Sequence, residues 1–112
     1  MNFLILGDVM GAPGRKALSK RLPDLIKNNK INFVIANGEN SSDDGKGITK
    51  KITEEFFKIG VDVITSGNHI WDKKETTDFI EKEKRLLRPA NLAEGTPGRG
   101  YEIYWSKDKK YK

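Results

Sequence analysis

Three short apolar runs each end in a glycine followed by side chains that could hold a cation or move a proton. Gly7-Asp8-Val9-Met10-Gly11 follows the first run, Asn37-Gly38-Glu39-Asn40 the second, and Ser66-Gly67-Asn68-His69 the third. Asp8 and Glu39 are anionic oxygen donors, and Asn40 and Asn68 are neutral amide donors. His69 carries the side chain best suited to exchanging a proton near neutral pH. Oxygen and nitrogen donors of this kind suit hard or borderline divalent metals such as manganese, iron or zinc. A glycine before each group lets the chain turn sharply and bring a short side chain inward. Singly, each run also reads as a turn, a loop or a helix cap. The coincidence of three consecutive runs ending alike is what points to a metal or phosphate site.

Other chemistry is excluded by spacing. A phosphate-binding loop needs two glycines four residues apart and then Lys-Ser or Lys-Thr; Gly38 and Gly45 are separated by six residues, and Lys46 is followed by Gly47. The dinucleotide fingerprint is absent after the first run, where glycines stand at 7, 11 and 14. No nucleophile elbow G-x-S-x-G occurs. Ser41, Ser42, Asp43 and Asp44, closed by Gly45 and Gly47, read as a flexible polar loop or as a lid on the substrate side.

The elements that must carry these groups alternate in type. Asn2–Gly7, Asn32–Ala36 and Val61–Thr65 are β-branched or aromatic-rich and end in Gly or Asn, the pattern of short buried strands. Between the first two, Leu18, Leu22, Leu25 and Ile26 share one helical face over residues 15–28, with Pro23 expected to kink or restart that helix. Over residues 49–59, Ile52, Phe56 and Ile59 share a face, with Thr49 as N-cap and Gly60 as stop. Residues 73–85 form a third helical pattern. It opens with a capping-box-like Asp72-Lys73-Lys74-Glu75 and carries Asp78–Lys82 and Glu81–Arg85 as i,i+4 pairs. Residues 88–100 hold two of the four prolines and three glycines and read as a loop. Tyr101–Trp105 alternates as one more strand would. The order β-α-β-α-β-α predicts an α/β fold with parallel strands, right-handed crossovers and helices on the sheet faces. In such a sheet the ligand site lies beyond the carboxyl ends of the strands, where all three donor runs fall.

Composition sets outer bounds. The chain has 112 residues, 36% hydrophobic and 33% charged, which suits one small domain, read as residues 1–106. It has no Cys, which excludes a disulfide scaffold and a thiolate site, and a single His, which excludes a cluster of imidazoles supplied by one chain. Of the net charge of +5, residues 107–112 (KDKKYK) carry +3, as four Lys against one Asp. That segment reads as a solvated Lys-rich tail, and no stable nucleic-acid binding is expected. No apolar run reaches the roughly 18 residues of a membrane span, and the first residues, MNFLILGD, do not make a secretory signal. A cytoplasmic protein is the expectation, without a membrane partner.

GDVMG, NGEN, SGNHIWD and RPANLAEGTPGRG, in this order and spread over residues 7–100, resemble the amino-terminal half of the YmdB-type family of calcineurin-like metallophosphoesterases. The resemblance implies the βαβαβα half of an α/β sandwich with a dinuclear centre. Iron or manganese is the implied metal, with zinc as a further option. The implied activity is two-metal hydrolysis of phosphodiesters such as 2′,3′-cyclic nucleotides to 3′-nucleotides. By position, Asp8 resembles the ligand of the first metal and Glu39 the carboxylate shared by both. Asn40 and Asn68 resemble ligands of the second, and His69 resembles the acid that protonates the leaving oxygen.

The departure from that family is one of extent. The resemblance places the remaining ligands, histidines, in a further portion of polypeptide that this sequence does not contain. Asp8, Glu39, Asn40 and Asn68 are too few to fill two five- or six-coordinate ions. A parallel sheet of three or four strands also leaves an edge, and an apolar face, uncovered. The alternative is therefore a truncated, non-catalytic half-domain that associates through its open sheet, with a second copy or the missing carboxy-terminal half as partner.

Overall fold

The computed structural model describes residues 1–112 as four parallel strands joined by helical crossovers. Strand β1 is Phe3–Leu6, helix α1 Gly11–Asn28, β2 Phe33–Asn37, α2 Lys50–Lys58 and β3 Val63–Thr65. A 3₁₀ turn over Asn68–Trp71, a short helix α3 at Glu75–Phe79 and strand β4 at Leu86–Leu87 complete the order. The α/β, parallel-sheet reading of the sequence holds.

The sheet runs β1-β2-β3-β4, each strand beside its sequence neighbour. Ile5 faces Ile35, which faces Val63, while Leu6, Ala36 and Ile64 form the adjacent row. In a sequential parallel sheet, crossovers of one hand put every helix on the same face. Burial follows that rule. Val34, Ala36, Ile64 and Leu86 are buried in one core with Leu18 and Leu22 of α1 and Ile52 and Phe56 of α2, and Leu4 and Leu6 pack against it. On the opposite face Phe3 is 55% and Ile5 72% exposed. The helices thus cover one face of the sheet, and the other is the open apolar face expected of so few parallel strands. Strand order, which no local pattern encodes, is what makes the sheet one-sided.

Local chemistry explains several boundaries. Thr49 caps α2 as expected, its side chain accepting from the Ile52 N–H at 3.2 Å. Helix α1 begins at Gly11 and runs through Pro23 without a break in the element, where a kink or restart was expected. The third helix is five residues long, not the thirteen of 73–85. Neither of its expected i,i+4 pairs forms: Glu81 accepts from the Gly98 N–H at 2.8 Å, and Arg85 pairs with Glu83 and lies 3.6 Å over the Phe57 ring. The chain leaves helical geometry there to deliver Leu86 into the sheet beside Ile64.

Tyr101–Trp105 belongs to no strand, which corrects the expectation of one more strand there. Its alternation reflects one-sided packing. Tyr104 turns inward onto Phe33, with ring centroids 6.1 Å apart, while Tyr101, Ile103 and Trp105 face out. The lysine-rich end is exposed, closed on itself by the Ser106 N–H donating to Tyr111 O, and tied to the fold where Lys107 pairs with Asp62 at 3.3 Å. No helix is long and apolar enough to cross a membrane.

Candidate functional site

The hydrogen-bond ladder of the sheet continues past the strand ends and brings three loops together. The Val9 N–H donates to Asn37 O, the Gly11 N–H to Asn40 O and the Gly38 N–H to Thr65 O, at 3.1, 2.9 and 3.0 Å. Ser66 Oγ donates to Leu87 O at 2.6 Å, tying in the fourth strand. These bonds hold the segments after β1, β2 and β3 on one rim.

On that rim four of the five candidate residues are joined in two contacts. Asn40 Nδ2 donates to Asp8 Oδ1 at 2.9 Å, across 32 positions of sequence. Glu39 Oε2 accepts from the His69 backbone N–H at 3.4 Å. Glu39 is further framed by Asn37, whose Nδ2 donates to Oε1 at 3.4 Å while its Oδ1 accepts from the Glu39 N–H at 3.3 Å. Gly67 explains the fit of the second and third loops. A Cβ there would collide with both Glu39 carboxylate oxygens, so only glycine lets this carboxylate lie against the third loop. Asn68 is exposed at the start of the 3₁₀ turn, and no hydrogen bond joins its side chain to the other four.

The arrangement fits a cation on two observations. Asn40 Oδ1 is buried and has no hydrogen-bond donor. A buried carbonyl oxygen without a donor carries a cost of about 1–3 kcal/mol, which a bound cation would remove. The Glu39 carboxylate also occupies a cradle that a Cβ would fill. No three acid, imidazole or thiol side chains gather into a preformed cage; the donor set is two carboxylates and two amides.

The rim is open. Asp8 borders a shallow depression of about 310 Å³, floored by Leu6, Val9, Leu18 and Leu22. A separate cleft of about 380 Å³, lined by Arg15, Ser42, Asp43, Asp44 and Lys73 among others, holds none of the five. It borders the 41–47 loop, which is anchored at its start and middle. Arg15 donates to Ser41 O and Asp43 Oδ1, and Lys73 reaches Asp44 Oδ2 at 2.6 Å. Lys73 beside Asp44 holds that carboxyl below its usual range.

Sequence reasoning missed Asn37, Arg15 and Asp72. Asn37 had a signal, an amide two residues before a carboxylate at a strand end. Asp72 was read as the cap of the third helix. Its carboxylate instead lies 2.8 Å from His69 Nδ1, and α3 starts at Glu75, with Lys74 at the N-cap position and no side-chain cap.

Comparison with known proteins decides the family, because the YmdB-like protein family matches residues 4–112. The chain belongs to the YmdB-like family. A YmdB-like chain of this length is short. It is 50% identical over 100 residues to the 2′,3′-cyclic-nucleotide 2′-phosphodiesterase of Bacillus subtilis, covering 89% of this chain and 38% of that one. It superposes on a crystal structure of a protein from Thermus thermophilus with TM-score 0.81 and 40% identity, over 92% of this chain and 40% of that one. It also superposes on a phosphatase of Mycoplasma pneumoniae with TM-score 0.80 and 35% identity, over 91% and 38% respectively. The YmdB-like chain thus spans about two fifths of each relative's length, and its parallel α/β fold is that of a part of those longer chains.

Proposed function

We propose that this YmdB-like chain carries the amino-terminal share of a metal-dependent phosphodiesterase site, acting in the cytoplasm on phosphodiesters such as 2′,3′-cyclic nucleotides. The observation that carries the reading is the contact of Asn40 with Asp8 across two adjoining strand ends, beside a Glu39 that touches the third loop, with Asn40 Oδ1 buried and unpartnered. The phosphodiesterase and phosphatase relatives support the substrate class.

In this reading Asp8, Glu39, Asn40 and Asn68 would supply part of the ligand set of two divalent ions, iron or manganese, with zinc as a further option. Bound there, such ions would withdraw electron density from the phosphoryl oxygens and neutralise their charge. The chain's own residues do the rest. The two carboxylates supply charge, and the two amides supply neutral oxygens that fix direction. A water oxygen forms the new bond to phosphorus and releases one proton to solvent, the bond from phosphorus to O2′ breaks, and a protonated His69 delivers its proton to O2′. The product of a 2′,3′-cyclic nucleotide is then the 3′-nucleotide.

The test is manganese binding by calorimetry together with hydrolysis of a chromogenic phosphodiester. Manganese-stimulated turnover that disappears in Asp8→Ala and in His69→Ala supports the reading. Absence of both bound metal and turnover with added manganese overturns it for this chain.

A second reading is favoured by a separate observation, the exposure of Phe3 and Ile5 on the helix-free face of the sheet. In it the chain is a non-catalytic half-domain that associates with a second copy or with further polypeptide through that face. A compact monomer in light scattering, with no tendency to self-associate, overturns the self-association part of this reading.

A further inference from the structure

We propose that Asp72 is the positioning residue of His69. Its carboxylate accepts the Nδ1 proton of the imidazole, fixes the ring, and leaves Nε2 as the nitrogen presented for proton exchange. This deepens the phosphodiesterase reading, in which His69 hands a proton to the departing oxygen, and it rests on that reading for its purpose though not for its geometry.

The pairing follows from the local helix type. Residues 68–71 form a 3₁₀ turn, in which three residues complete one revolution and side chains three apart stand one above the other. Position 72 therefore stands over position 69. The turn is closed twice between these two residues: the Asp72 N–H donates to His69 O at 3.1 Å, and His69 Nδ1 lies 2.8 Å from Asp72 Oδ2.

The backbone beneath the pair is held independently of the two side chains. Ile70, 1% exposed, anchors the turn in the core. Its N–H donates to Gly67 O, where the chain passes the Glu39 carboxylate. From outside, Gly47 presses on the turn so closely that a Cβ there would stand 3.2 Å from His69 O and 2.9 Å from Lys73 Cγ. The fold thus sets the separation of Asp72 and His69 before their side chains interact.

Competition for the Asp72 carboxylate is absent among its neighbours. Lys73, the adjacent cation, is engaged with Asp44 at 2.6 Å, and the start of α3 takes no side-chain cap. An ionised carboxylate can only accept, so the nitrogen facing it must carry the proton. In the neutral ring that leaves the lone pair on Nε2, since the hydrogen bond at one imidazole nitrogen decides the state of the other.

His69 is the single histidine of the chain, so its ring nitrogens can be assigned without ambiguity. The experiment is a long-range ¹H–¹⁵N correlation spectrum of the ¹⁵N-labelled chain at alkaline pH, with the ring neutral. The expected spectrum has a protonated, pyrrole-type Nδ1 and an unprotonated, pyridine-type Nε2. In Asp72→Ala and Asp72→Leu the two resonances should move towards or past each other as the proton redistributes to Nε2, and Asp72→Glu should restore the wild-type pattern at least in part. Dispersed backbone amide spectra identify the variants that remain folded, and either one suffices. A wild-type ring protonated on Nε2 overturns the proposal, as does a tautomer unmoved in a folded variant lacking the carboxylate. Because the readout needs no turnover, a failure of the phosphodiesterase reading would appear separately, as missing metal-dependent hydrolysis with the tautomer intact.

Discussion

Asn40 reaches back across the first crossover to donate its amide to Asp8 at 2.9 Å, so the loops after β1 and β2 meet through side chains as well as through backbone. The same amide turns its oxygen into a buried position without a donor. One end of Asn40 thus binds a carboxylate, and the other is available to a cation.

Replacing Asn40 by Ala should remove both features. Manganese affinity is expected to fall about 10- to 100-fold, the range for loss of a group that orients or completes a metal site. Folding stability should change little, by about 1 kcal/mol at most, because the lost hydrogen bond is exposed and the orphaned oxygen disappears with it. Calorimetric titration of manganese alongside urea denaturation separates the two effects.

Gly67→Ala should act on Glu39. The new Cβ would meet the carboxylate oxygens, so the Glu39 side chain must move out of its cradle. The clashing atoms are the far end of a flexible side chain, so folding stability should fall by about 1 kcal/mol at most, while manganese affinity should fall about 10- to 100-fold. A manganese affinity equal to wild type in calorimetry would contradict the close approach of these two loops.

The two faces of the sheet should respond oppositely. Ile64→Ala, on the helix-covered face and fully buried, should cost about 2–5 kcal/mol. Ile5→Asp, at a side chain 72% exposed, should leave monomer stability within about 1 kcal/mol and suppress self-association. Denaturation and light scattering on the same pair of variants test this contrast.

Tyr104 gives the fold an alkaline limit. Burial against Phe33, and secondarily the Glu102 carboxylate, push its phenol from 10.0 up to about 12. The folded state therefore prefers the neutral phenol. That contribution is complete below pH 10.0 and is lost as pH rises through about 12. Stability measured across this window should fall in the wild type, and the part of the fall due to this group should be absent in Tyr104→Phe. Phenolate absorbance should show one of the three tyrosines ionising late.

Much of this was legible before the fold. The central strands are runs such as Phe33-Val34-Ile35-Ala36, which a strand buried in a parallel sheet requires, and Thr49 carries its own cap in a hydroxyl three residues before Ile52. The donors Asp8, Glu39, Asn40, Asn68 and His69 could be placed at one rim because parallel strands all end on the same side. Other features carried no local signal. Strand β4 is two residues long and shows no periodicity; it exists because Ile64 and Thr65 offer an unpaired edge to Leu86 and Leu87. Tyr101–Trp105 has the alternation of a strand but gained no partner, since its inward side chain packs on a ring rather than pairing along a ladder.

The amino-acid sequence alone determined which residues could bind or donate and which end of the sheet would present them, because side-chain chemistry and strand direction are local properties. The tertiary structure alone decided that the sheet is covered on one face, that Asn40 bonds Asp8, and that Asp72 serves His69 rather than the helix that follows. Each of these depends on strand order, or on whether a turn closes after three residues or four. Those are settled by packing between segments distant in the chain, where the free energy of burial outweighs any preference a short stretch holds by itself.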